Sequence, residues 1–318
     1  MLSRVVDSLY WMSRYLERAE HTARLIDVDL HGMIDQDPAV SLRRHKRLMH
    51  TVECPWPKVP EQEFAAEMTR LLTYDETNPN SIFAYIAHTR ENARQVREQI
   101  STEMWEQLNR LYLYVQDSKG KLGHQIEPHD FFMHVKEGSL LFQGIADSTM
   151  THGEGWHFIH VGRYIERAWS VARLLEVHLQ EFRIDDSPEV SLEAYQDWTG
   201  LLKSCTAFEA YLRRYRSNLT SSRIVEFLIL DQDFPHSIRF SIDILHRALD
   251  IISEMTQTKK IGLVNRLSGK LSATLDYASI EDIARDPKAF LTDIQQQCVR
   301  LHDAIYGTYI SYPVETGL

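Results

Sequence analysis

Two stretches of this chain repeat one another, and that repetition constrains the fold more than any other feature. Laid over residues 158–179 without a gap, residues 9–30 are identical at ten of 22 positions. Arg14, Tyr15, Glu17, Arg18 and Ala19 meet Arg163, Tyr164, Glu166, Arg167 and Ala168. A second match follows in the same order, where Asp75, Pro79, Ser81 and Ile82 lie over Asp231, Pro235, Ser237 and Ile238. Two matches in one order imply duplication of a whole unit. The boundary falls in His152-Gly153-Glu154-Gly155, which sets repeats at 1–152 and 153–318 that close into one compact domain.

The unit reads as helical. Glycine is scarce, at 13 of 318 residues, where average usage is about 7%. The spans 3–37, 80–127, 129–187 and 236–286 contain no proline. A sheet-rich chain is punctuated more often by Gly, Pro and Asn. The expected fold class is therefore all-α, a helical bundle of two tandem multi-helix repeats. A long first helix over 3–33 is followed by an irregular segment at about 35–61, with its Cys54-Pro55-Trp56-Pro57, and then a shorter helix. Pro79 and Pro235 are placed at first helical positions, where a missing N–H costs nothing. The helix after Pro79 is expected to run to about 115, and helices near 134–150 and 287–310 close the two units.

The marked helices carry two distinct faces. Val5, Leu9, Met12, Leu16, Ala19, Ala23, Ile26 and Leu30 recur at steps of three and four, and so form a core stripe. Phe158, Val161, Ile165, Ala168, Ala172, Leu175 and Leu179 repeat it. On the other side Asp7, Trp11, Arg14, Arg18 and Leu25 align, as do Trp156, His160, Arg163, Arg167 and Leu174. A solvated face has little use for Trp and Leu among arginines, so both faces are expected to be covered. Arginines four apart repel by about 0.2–0.5 kcal/mol on an isolated helix. Glu17 and Glu166 can offset this by reaching the arginines three residues earlier. Two readings stay open: an ion-pair network clamping the copies together, or a pocket for a carboxylate or phosphate.

The copies also differ. Arg90, Glu91, Asn92 and Arg94, with Arg97 beyond, have only Leu245-His246-Arg247-Ala248-Leu249-Asp250 opposite them. This polar set is either a solvated face or a wall of the cleft holding Arg14 and Arg18. The linking segment, from Gln143 through Asp147 to Glu154, is polar too and leads into the second marked helix. Helix starts can hold anions, but no Gly-Lys-(Ser/Thr) of a P-loop and no GxSxG elbow surrounds Ser148 and Thr149. His152, Glu154, His157 and His160 are close in sequence but lack a recognised metal pattern, so no metal is assigned and no cofactor is called for.

A net charge of −10 disfavours nucleic acid as a partner. No run of 18 apolar residues spans a membrane, and the first residues do not read as a signal peptide. Three isolated cysteines, Cys54, Cys205 and Cys298, fit a reducing cytoplasm.

The opening from Met1 to Glu20, with the Glu17-Arg18 motif, resembles the alpha-E domain family of bacteria. So do Arg90 through Glu106, Gln143 through Trp156 and Phe234 through Phe240, and the likeness covers essentially the whole chain. The resemblance implies partnership with an ATP-grasp ligase-like protein and a transglutaminase-like protein in making or modifying peptides. It carries over no reaction. Three readings follow. The chain is an accessory partner that receives a carboxylate or phosphate on its arginine face. Or it is an enzyme with Glu17 or Glu166 as general base. Or it is a scaffold in which the Glu-Arg motifs are clamps.

Overall fold

The computed structural model describes residues 1–32, 37–123, 125–184, 191–216, 219–257 and 262–311. Among them the regular elements are all helical; the one isolated bridge joins Leu122 and Ile126. The first half contains α1 (Ser3–His31), α2 (Pro38–Thr51), α3 (Phe64–Thr73), α4 (Ile82–Gln95), α5 (Thr102–Asp117) and α6 (Pro128–Thr149). The second contains α7 (Glu154–His178), α8 (Leu192–Ser204), α9 (Phe208–Tyr215), α10 (Ser221–Leu230), α11 (Ile238–Met255), α12 (Leu263–Asp276), α13 (Ile280–Arg285) and α14 (Pro287–Ile305). A wider turn of helix at Tyr306–Ile310 continues α14.

The two marked helices, α1 and α7, are packed against each other at the centre. α4 and α6 pack on α1, and α11 and α14 cover α7. The apolar stripes are the reason. Leu9, Met12, Ala19, Ala23 and Ile26 are fully enclosed, as are Phe158, Val161, Ala168, Ala172 and Leu175. Each large apolar side chain so buried contributes about 1.5–3 kcal/mol, which outweighs any helix-propensity difference along the segment. The second faces are covered as well: α7 is buried along nearly its whole length, Arg163 and Arg167 included. The crossing is very close. A Cβ built on Gly162 would lie 2.2 Å from Ser13 Oγ and 2.3 Å from the Tyr10 carbonyl oxygen. Only a residue without a side chain lets the backbones meet there.

Four local expectations are corrected. The segment at 35–61 is not irregular throughout, because α2 occupies 38–51. Asp37 caps it by accepting from the Ala39 N–H, and Pro38 sits at its start, a combination that favours helix initiation. The part of that segment at 35–36 lies outside the described residues. Pro79 and Pro235 do not start helices. They stand in the preceding turns, and Ser81 and Ser237 cap α4 and α11 through the Ala84 and Phe240 N–H groups. The serine oxygen satisfies an orphan donor that a proline could not. The helix after Pro79 does not reach 115 unbroken. It stops at Gln95, and Ser101 caps a new helix by accepting from Met104 N–H at 3.2 Å. Finally, Glu17 and Glu166 do not turn back to arginines of their own helix. They reach across to the other one.

Candidate functional site

The exchange between α1 and α7 is reciprocal. Arg167 clasps Glu17 with two parallel bonds, Nε to Oε1 at 2.5 Å and Nη2 to Oε2 at 3.0 Å, and donates a third bond to the Pro235 carbonyl at 3.1 Å. In the other direction, Glu166 receives Arg18 Nε on Oε1 at 2.6 Å and Arg14 Nε on Oε2 at 2.7 Å. Helix geometry explains why both exchanges occur. Glu17 and Arg18 are adjacent, so one helix offers an acceptor and a donor side by side, and the partner helix presents the same pair.

The two ends sit in different surroundings. Glu17 and Arg167 are both buried and enclosed by α11 and its approach turn. Glu166 and its two arginines instead line a cavity of about 240 Å³. Thr51 and Glu53 of the α2 end, Tyr85 of α4, and Trp169 and Arg173 of α7 form other parts of its wall. Arg18 keeps 28% of its side chain exposed there and stands over the Tyr85 ring. Arg14 is more enclosed. Its guanidinium lies over the Trp11 ring at 4.6 Å and makes contacts with Tyr10 Oη and His302 Nδ1 at 3.3 and 3.2 Å. Burial, together with Arg14, pushes His302 below the ordinary imidazole range. Its ring is therefore neutral at physiological pH and can accept a hydrogen bond.

Burial alone would raise the Glu166 carboxyl, but Arg14 and Arg18 outweigh it and hold the group at about 2. A carboxylate held so low, with both oxygens occupied, is a weak proton acceptor. Its role in this arrangement is to hold two guanidinium groups apart from one another and aligned on the cavity. His21, also in the wall, is pushed down to about 4 chiefly by burial. The cavity is thus a cationic recess with aromatic sides, suited to a planar anion by charge-assisted hydrogen bonds.

The sequence-selected residues therefore separate into groups. Arg14, Arg18 and Glu166 are brought together at the cavity. Glu17 and Arg167 form the enclosed exchange. Arg163 is buried over the Tyr164 ring, and among the described residues it makes no ion pair. The polar set on α4 belongs to a different face: Arg94 and Glu91 pair in the open, while Arg90 donates to Asn109 Oδ1 and lies over Tyr112. Asn92 is likewise outside the cavity wall, so this set does not line the cleft of Arg14 and Arg18. In the link, Asp147 accepts from Trp156 Nε1 at 3.2 Å, Glu154 pairs with the Met1 ammonium at 3.0 Å, and Gln143 is half-buried on α6. None of the three reaches the cavity. Tyr10, His21, Tyr85, Arg173, Cys298 and His302 are wall or supporting residues that sequence reasoning passed over. Arg173 belonged to the internal repeat, matched to Arg24, and so carried a signal; Cys298 and His302 share a helix face but no motif.

Comparison with known proteins adds four findings. A family model for Alpha-E, described as a predicted alpha-helical domain with a conserved ER motif, matches residues 1–310. An uncharacterised protein of Mycobacterium bovis is 23% identical over 341 residues, covering 98% of this chain and 37% of its own length. An uncharacterised protein of Mycobacterium tuberculosis is 22% identical with the same coverage. The chain thus spans little more than a third of these relatives. No solved structure matches it.

Proposed function

The chain belongs to the Alpha-E family, and from that premise we propose that it is an accessory partner of an ATP-grasp amide ligase, working with a transglutaminase-like protein in peptide synthesis or modification. In this reading the cavity at Arg14 and Arg18 receives a carboxylate or acyl-phosphate group of the peptide being handled. The observation that carries it is the convergence of those two arginines on Glu166 at an open, aromatic-walled recess, with Arg18 left partly exposed. A solvent-reachable guanidinium beside a second one is the chemistry that planar oxyanions select. ATP-dependent ligation also favours a cytoplasmic location.

We further infer that 1–152 and 153–318 are two copies of one unit forming a single domain. The reciprocal Glu-Arg exchange supports this, as do the matched serine caps of α4 and α11 and the meeting of the equivalent residues Ser13 and Gly162 at the helix crossing. The scaffold reading is favoured for one end only, the enclosed Glu17–Arg167 pair.

The test combines co-expression with a ligand titration. The full chain should co-purify with a co-expressed ATP-grasp ligase-like protein from the same organism, and a short peptide carboxylate or acetyl phosphate should bind the purified chain. Arg18→Ala should weaken that binding at least tenfold with the fold intact. Absence of a complex at micromolar concentration, together with anion binding indifferent to Arg18, would sink the proposal.

A further inference from the structure

At the far end of α1 from the crossing, a second group of side chains converges. Asp27 is buried near the end of α1, His31 follows it by one turn, and His129 comes from the first turn of α6. His129 Nδ1 lies 2.8 Å from Asp27 Oδ1, and His31 Nδ1 lies 3.2 Å from the same oxygen. The two imidazole rings stand nearly perpendicular with centroids 4.5 Å apart. One ligand atom from each of the three residues falls within 4.8 Å of the others, the one such group of three among the described residues. All three line a cavity of about 430 Å³, which Tyr195, Gln196 and Lys203 of α8 close from the other side.

We propose that Asp27, His31 and His129 bind a divalent first-row transition metal of the zinc type, with its remaining coordination positions facing the α8 side of the cavity. Two imidazoles and one carboxylate are a ligand set that such ions select. Metal–ligand bonds of about 2.0–2.2 Å in a tetrahedron place ligand atoms roughly 3.3–3.6 Å apart. The distances from Asp27 Oδ1 to the two rings lie within several tenths of an ångström of that. His31 and His129 keep 52% and 49% of their side chains exposed, so both rings can turn to take up the ion.

Lys136 completes the arrangement. Its ammonium, mostly buried, holds Asp27 Oδ2 at 2.5 Å. That leaves Oδ1 as the single oxygen presented to the histidines and fixes the carboxylate's orientation, as outer partners of metal ligands do. The same contact balances the Asp27 charge when no ion is bound, so the aspartate can remain buried in the metal-free chain. This group is separate from the arginine cavity and from the His152–His160 cluster of the sequence, to which no metal was assigned.

The experiment is a titration of the full, chelator-treated chain with zinc chloride, followed by calorimetry, and a parallel titration with cobalt(II), followed by visible absorption. One equivalent should bind, and cobalt should give the intense visible bands of a four-coordinate ion. His129→Ala and His31→Ala should each weaken zinc at least tenfold, and the double variant should bind no stoichiometric equivalent. Both positions are half-exposed, so these variants should fold, with circular dichroism as the check. The double variant His152→Ala/His157→Ala should bind zinc as the parent does. Zinc binding unchanged in the His31/His129 double variant, or lost equally in the His152/His157 variant, would overturn the proposal, as would the absence of any equivalent bound.

Discussion

The two ends of the α1–α7 exchange are built from the same residue types and are not equivalent. At one end Glu17 meets a single arginine, Arg167, in a two-bond clasp closed off by α11. At the other end Glu166 meets two, Arg14 and Arg18, one bond each, beside a cavity. The counterpart of Arg14 is Arg163. It remains near Glu17 without reaching it, and burial lowers its affinity for a proton below the usual guanidinium range. The difference teaches that one motif can serve two ends differently. Full pairing in an enclosed place leaves nothing to bind a ligand, whereas a shared carboxylate leaves part of the Arg18 guanidinium open to the cavity.

The largest test of this contrast is removal of each carboxylate. Glu17→Ala strands Arg167 in an enclosed place and should cost about 3–5 kcal/mol in urea unfolding, the usual penalty for breaking a buried pair. Glu166→Ala strands two arginines, but water or an added anion reaches them through the cavity. Its loss should be smaller and should shrink further with added phosphate. A greater loss at Glu166 than at Glu17 would break the comparison.

Next in size is the crossing that sets both ends. Gly162→Ala drives a methyl group into Ser13 and the Tyr10 carbonyl, neither of which can withdraw as a long flexible side chain would. Overpacking of this kind costs about 1–3 kcal/mol. The variant should lower Tm and loosen both exchanges together, which hydrogen exchange along α1 and α7 would detect.

Acid stability sharpens the comparison from another side. His21 borders both carboxylates and is lowered from 6.5 to about 4, while burial also pushes His178 and His236 well down. Between about pH 6.5 and 4 the unfolded chain binds protons on these rings that the folded chain does not. Stability should therefore fall as pH drops through that window, by roughly 1.4 kcal/mol per pH unit for each such ring. Glu166, held at about 2, stays ionised throughout, and its contribution should be lost only as pH falls towards that value. His21→Gln should flatten the slope measured by chemical denaturation at a series of pH values. An unchanged slope would place the titrating groups elsewhere.

The smallest expected effects lie on the arginines that solvent can reach. Arg18→Ala should cost less stability than Glu17→Ala, because Arg14 still pairs with Glu166 and water reaches the vacated Glu166 Oε1 through the cavity. Arg94→Ala should leave both Tm and anion binding where they were, since its pair with Glu91 stands in open solvent.

The pattern of what could be read in advance follows from range. The stripes of α1 and α7 were legible because a period of 3.6 residues is local, and the structure buries Leu9, Ala23, Phe158 and Leu175 where that period placed them. The coverage of both faces was legible as well, from Trp and Leu standing among arginines. The break between α4 and α5 was less so, because it rests on the Ser101 cap and contains neither Gly nor Pro. The cavity wall was mostly hidden. Tyr85, Cys298 and His302 come from helices far apart in the chain, and no spacing rule links them to Arg14.

The amino-acid order by itself determined that this chain is helical, that two of its helices carry the same charged motif, and that those helices lie inside. These are consequences of side-chain periodicity and of the cost of leaving apolar faces in water. Only the packed molecule decided which carboxylate each arginine takes, because that depends on the close approach at Gly162 and on the crossing it permits. The same approach separates an enclosed pair from an open recess, while the packing of α6 on α1 brings His129 beside Asp27. Distances between helices are set by every contact in the core at once, and no segment carries that information alone.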